Sequence, residues 1–240
     1  MHPLPEYPRP AMRRDSYENL NGLWKYAITQ TAEYPAAWDG SILVPYSPET
    51  KASGVGRTLQ PGQWLHYHCT FAPPPGEGGR VLLHFGAVDQ CCRVLVNGQE
   101  AGRHEGGYLP FCLDVTALLN DGENRLTAAV TDDAAGGVYG MGKQRYQRGG
   151  IWYTATSGIW QTVWLESVPE NYVKSLRLTP DLDAGVLRWH IEADAAEGAR
   201  VTVRAGDTVI AEGRADENGD GVSVIPAAHL RPWSPEDPFL

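Results

Sequence analysis

Residues 83–132 read LHFGAVDQCCRVLVNGQEAGRHEGGYLPFCLDVTALLNDGENRLTAAVTD, and this stretch decides the fold. Short runs rich in β-branched and apolar residues, at 80–85, 91–96 and 125–131, are cut apart by turn formers, which is the pattern of strands. Asn97-Gly98 follows the second run, and both residues tolerate positive φ, so the pair predicts a two-residue hairpin. One helical turn is predicted, where Asp114 caps 115–119. Working outward, similar runs at 23–28, 42–44, 64–71 and 161–168 add strands on both sides. The loops between them are very unequal in length, which suits a jelly roll or sandwich better than a meander.

Composition agrees. With 27 Gly, 18 Pro, 8 Trp and 11 Tyr, turn formers interrupt the apolar runs too often for long helices, giving an all-β chain. The net charge of -9, with no basic stripe, speaks against nucleic acid as a partner. No run of apolar residues is long enough to cross a membrane as a helix. The opening MHPLPEYPRPAMRRDS has prolines and charges where a secretory signal needs an apolar core, so a cytoplasmic protein is expected. Cys69, Cys91, Cys92 and Cys112 form no C-x-x-C pair, and four reduced thiols are expected.

A boundary falls at Val168-Pro169-Glu170-Asn171, dividing the chain into domains 1–168 and 169–240. Six of the eight tryptophans precede it. After it come simpler strands at 173–179, 186–193, 200–205, 208–211 and 222–225. These read as five strands of an immunoglobulin-like sandwich, which ordinarily has about seven. The apolar Phe239-Leu240 end is unusual for a terminus, so this second sandwich reads as incomplete. No flexible linker is visible, and the two domains are expected to pack directly together.

The central stretch resembles the sugar-binding domain of family 2 glycoside hydrolases, the β-galactosidases, β-glucuronidases and β-mannosidases. The residues that carry the resemblance are Gly86/Asp89, the V-x-V-N-G hairpin at 94–98, Gly102/His104, the Pro-Phe-x-x-Asp-Val-Thr turn at 110–116, and Gly-Glu-Asn-x-Leu at 122–126. Outside it, N-L-N-G-L-W at 19–24, V-P-Y-S at 44–47, S-G-I-W-Q-T-V-W-L at 157–165 and W-S-P-E-D-P at 233–238 follow in the family's order. The resemblance implies a jelly-roll, galactose-binding-like β-sandwich followed by part of an immunoglobulin-like second domain. It also implies that the complete enzyme takes a carbohydrate, a β-glycoside, as substrate.

Candidate functional residues concentrate in loop 140–153, GMGKQRYQRGGIWY, with four glycines, two arginines, a lysine and three aromatics between two strands. A loop of that length is commonly functional, and aromatic rings with amide and cationic groups suit sugars. In the family the matching loop reaches toward the active-site mouth, so Lys143, Gln144 and Trp152 are carried over as substrate-binding candidates; packing on a catalytic barrel is the competing reading. The family's β-galactosidases place an acidic residue just before Ser-Gly-Ile, where it holds the sugar and a sodium ion. Residues 151–156 here contain none, so that specificity and that ion are not carried over. The Ser47/Glu49 loop also approaches the sugar in the family, but Pro45 and Pro48 favour a rigid structural turn. Asp89, Asn97 and His104 read as fold residues. His66 and His68 share a strand face, but no further ligands at metal spacing accompany them, so no metal and no cofactor is expected.

Hydrolysis in this family requires two glutamates of a (β/α)₈ barrel, and such a barrel needs about 250 residues of alternating strand and helix. No such alternation is present, so no catalytic residue is assigned and the chain alone is expected to be inactive. The expected role is the non-catalytic N-terminal part of a retaining β-glycosidase that supports a barrel missing from this chain. The alternative is a stand-alone carbohydrate-binding module, or a small subunit complementing a separate catalytic chain. Association with further copies stays open.

Overall fold

A computed structural model describes residues 3–74, 76, 79–136 and 138–238; Phe239 and Leu240, on which the reading of the chain end rests, lie outside it. The chain divides into two compact units, Met1–Pro169 and Glu170–Leu240. No α-helix occurs among the described residues, only three short 3₁₀ turns.

The first unit contains β1 (Tyr17–Asn19), β2 (Gly22–Thr29), β3 (Gly40–Val44), β4 (Trp64–Phe71), β5 (Arg80–Phe85), β6 (Val88–Asp89) and β7 (Cys91–Val96). It continues with β8 (Gln99–Glu105), β9 (Phe111–Asp114), β10 (Asn124–Thr131), β11 (Gln144–Arg145), β12 (Tyr153–Thr154), β13 (Gly158–Ile159) and β14 (Val163–Val168). A six-stranded sheet runs β3-β2-β4-β10-β7-β8 and a four-stranded sheet runs β1-β14-β5-β9. Non-sequential neighbours in both sheets give the crossovers of a jelly roll. The core between them holds Trp24, Tyr67, Leu126 and Val94 from the larger sheet and Leu83, Phe85 and Leu165 from the smaller. Alternation in β7, where Cys92, Val94 and Val96 are buried and Cys91, Arg93 and Leu95 are not, follows from the period of two in a strand.

The hairpin predicted at Asn97-Gly98 is present, with φ of 52° and 82°. Asn97 does more than turn the chain: its Nδ2 donates to Asn124 Oδ1 at 2.7 Å and to Leu118 O at 2.8 Å, and its Oδ1 accepts from Arg125 N. The V-N-G and G-E-N motifs are therefore two halves of one hydrogen-bonded corner. The helical turn forms at Thr116–Leu118, and the carboxylate of Asp114 accepts from Thr116 N and Oγ1. Gly158 has φ of 78°, and a side chain there would fall on the Tyr67 hydroxyl, which accepts a hydrogen bond from Ile159 N. That contact explains the glycine of the Ser-Gly-Ile segment.

The second unit contains β15 (Ser175–Asp181), β16 (Val186–Glu192), β17 (Arg200–Ala205), β18 (Thr208–Arg214) and β19 (Asp220–Val224). Strands β15-β16-β19 form one sheet and β17-β18 another. Its buried core is Trp189, Ile191 and Ala215, and Trp189 Nε1 donates to Ser223 Oγ at 3.1 Å. Leu176 and Leu178 of β15 pair with Ile191 and Trp189 yet stay 37% and 51% exposed, so the inner face of this sheet is only partly covered.

Candidate functional site

Loop 140–153 is built on a two-sided anchor. Strand β11 pairs with β12 in parallel, and Tyr153 N donates to Lys143 O at 2.7 Å. Between them Gly149 and Trp152 exchange backbone hydrogen bonds of 3.2 and 3.1 Å, closing a tight turn that uses positive φ at Gly149 and Gly150. Gln144 points inward and is buried. Its Oε1 accepts from Thr156 N at 2.7 Å, and its Nε2 donates to Asp89 Oδ2 at 3.4 Å. The next residue, Arg145, points the other way and is exposed, with its guanidinium 3.9 Å from the centroid of a Trp152 ring.

The three residues expected to contact substrate are thus separated by the structure. Trp152 lines a cavity of about 330 Å³ with Arg145, Tyr146, Gln147, Met141, Ala134 and Ala135. Lys143 is exposed at the base of the loop and outside that cavity lining. Gln144 spends both ends of its amide on holding the loop to the sandwich. Arg145 and Tyr146 were not singled out from the sequence. The signal available for Arg145 was strand alternation: if Gln144 is inward, its neighbour is outward.

Behind the loop lies a group of carboxylates. Glu49 is the clamp of its own region: Oε1 accepts from Ser157 Oγ at 2.8 Å and from Leu59 N at 3.2 Å, and Oε2 accepts from Ser157 N at 3.1 Å. Burial raises its pKa, as it does that of Asp89. Asp132 is pushed up to about 7, by burial first and then by the charges of Asp89 and Glu49. Asp89 receives Gln144 through Oδ2, and among the described residues Oδ1 has no partner.

The imidazoles are engaged in the sandwich. His66 Nε2 lies 3.0 Å from Thr29 Oγ1 and 3.1 Å from Thr31 O, and His68 stacks on Trp38. His104 Nε2 lies 3.0 Å from Gly106 O, and its ring stacks on Phe111. Among the described residues no three His, Cys, Asp or Glu side chains group as a metal site. The four cysteines are unbridged, and no described helix is long and apolar enough to cross a membrane.

The family model for glycosyl hydrolases family 2, sugar binding domain, matches residues 46–169. The chain belongs to glycosyl hydrolase family 2. Among family 2 relatives, the β-glucuronidase of Felis catus is 26% identical, the alignment covering 95% of this chain and 40% of that protein. The β-glucuronidase of Paenibacillus borealis is 28% identical, covering 98% of this chain and 42% of that one. The solved β-glucuronidase of an uncultured Clostridium sp. superposes with a TM-score of 0.69 at 26% identity, over 97% of this chain and 42% of that one. The chain therefore spans well under half the length of the relatives it matches. The family 2 match covers the hairpin corner, the Glu49 clamp and loop 140–153 alike.

Proposed function

We propose that this chain is the non-catalytic N-terminal part of a retaining β-glycosidase, and that it braces a catalytic barrel and lends loop 140–153 to the substrate pocket. The observation that carries this reading is the pairing of Trp152 with Arg145 on the wall of an open cavity, on a loop anchored from behind by Gln144. An indole face beside a guanidinium suits a sugar ring and its hydroxyls. In the same reading the second unit is the start of an immunoglobulin-like sandwich, and the protein works in the cytoplasm, where unbridged thiols persist.

The test has two parts. The 240-residue chain is assayed with aryl β-glucuronide and β-galactoside, names its relatives carry, and turnover at the background rate is expected. Measurable hydrolysis by the pure chain defeats the non-catalytic assignment. In the complete enzyme, Trp152→Ala is expected to raise KM about tenfold with a smaller effect on kcat, consistent with the loss of about 1.4 kcal/mol of uniform binding. An unchanged KM removes the loop from the pocket. A stand-alone module predicts instead saturable sugar binding by the chain together with no activity in any longer form.

A further inference from the structure

Two fasteners hold loop 140–153 and the step that follows it, and both end on buried carboxylates. Gln144 Oε1 accepts from Thr156 N at 2.7 Å and from Thr156 Oγ1 at 3.1 Å, while its Nε2 donates to Asp89 Oδ2 at 3.4 Å. The next residue, Ser157, donates to Glu49 through N at 3.1 Å and through Oγ at 2.8 Å. A third tie comes from the end of β10, where Ala134 N donates to the Tyr146 hydroxyl at 3.1 Å. Asp132, two residues earlier, is 6% exposed, and its charge acts on that same hydroxyl.

Little offsets the charge of these carboxylates. Asp89 is 4% exposed, and among the described residues its Oδ1 has no hydrogen-bond partner. That oxygen is sealed against Gly107, where an added Cβ would lie 2.2 Å from it. The carboxylate of Asp132 accepts from Asp133 N, and the charges acting on it, Asp89, Glu49 and Asp133, are all negative. Cys91, Tyr108 and Tyr146 face the same group from neighbouring elements as uncharged side chains; burial first, and then carboxylates including Asp132, raise the pKa of each. Tyr67 of β4 faces Glu49 in the same way. The cations beside Gln144, Lys143 and Arg145, are exposed, with Arg145 on Trp152. Like charges in a buried place repel strongly, so a proton on Asp132 eases both fasteners, and its loss favours opening of the loop to water. We infer that loop 140–153 is a proton-controlled flap, closed while Asp132 holds its proton and loosened at Gln144 and Glu49 when Asp132 ionises. The inference goes beyond the proposed function and makes no use of the loop as a substrate wall. Asp132 in the closed flap has a pKa of about 7, above the ordinary 3.8 that it regains in water. Opening therefore grows as pH rises between these values and levels off above them.

Hydrogen exchange of the 240-residue chain tests it, read at the Tyr153 amide and normalised at each pH to the rate of an unstructured peptide. The protection factor is expected to fall at least about tenfold between about pH 5 and about pH 7 and then to stay level, since one proton is released on opening. Amides in the middle of β4 and β10 are expected to keep their protection over the same range. Asp132→Asn, which cannot ionise, is expected to reduce the fall to less than about threefold. Asp89→Asn keeps an acceptor for Gln144 but removes one of the charges acting on Asp132, so the fall is expected to move to lower pH. A role in packing alone would leave that midpoint where it is. A protection factor independent of pH, a fall that survives Asp132→Asn, a midpoint unmoved by Asp89→Asn, or an equal fall in β4 and β10 overturns the inference.

Discussion

Glu166, on β14, has a fully buried carboxylate that receives hydrogen bonds from Tyr7, Arg9, Arg14 and Trp164 and lies 3.0 Å from His84 Nε2. Burial opposes its ionisation, but the hydrogen bonds of His84 and Tyr7 and the nearby positive charge outweigh it, holding the pKa down to about 2. One side chain thereby pins the segment before β1 to the sandwich. Glu166→Gln is expected to lower the unfolding free energy by about 3 kcal/mol, the lower end for breaking a buried pair, because Arg9 remains 28% exposed. Urea unfolding at constant m-value measures it. A group with a depressed folded pKa stabilises above its unfolded value, so the gap between wild type and variant closes as pH falls from about 4.5 toward about 2. Asp132 has the opposite sign. Its folded pKa of about 7 lies above the ordinary 3.8, so the stability it contributes is present in acid and lost as pH rises between these values. Asp132→Asn is expected to melt higher than wild type at pH 8 and to converge with it near pH 4. A pH-independent difference in Tm would show that Asp132 is not the titrating group.

At the scale of elements, the β11–β12 loop depends on one amide. Gln144→Ala leaves Thr156 N without its acceptor and removes the Gln144 hydrogen bond to the Asp89 carboxylate, at a cost of about 1–3 kcal/mol for groups left unsatisfied in a buried place. Hydrogen exchange at the Tyr153 amide, which bonds Lys143 O, is expected to accelerate at least tenfold, while β4 and β10 amides keep their protection. Equal acceleration in the core would mean that Gln144 holds the whole sandwich. The seven central strands were legible in the sequence because each is a short alternating run bounded by Gly, Pro or Asn. The two-residue strands β6, β11, β12 and β13 were not, since pairs that short have no period to detect and form only where their partners arrive from a distance.

For the molecule as a whole, the two units differ in how much they bury. The first has a continuous core across two sheets, whereas the second buries Trp189, Ile191 and Ala215 and leaves Leu176, Leu178 and Val224 exposed. Limited trypsin digestion is expected to cut first at Lys174 or Arg177 and then within the second unit, leaving a resistant fragment that ends near Pro169, as mass spectrometry would record. Equal resistance on both sides of Pro169 would mean that the open face is covered in solution. The sequence by itself determined the all-β class, most strands, the Asn97-Gly98 hairpin and the family, because these rest on local periodicity, turn chemistry and motif order. Only the tertiary structure decided that Gln144 is an anchor, that Arg145 is the partner of Trp152, and that Glu166 gathers the leading segment. These roles depend on residues up to 159 positions apart meeting in space, and a side chain's burial, counter-ion and pKa come from that meeting and not from its neighbours along the chain.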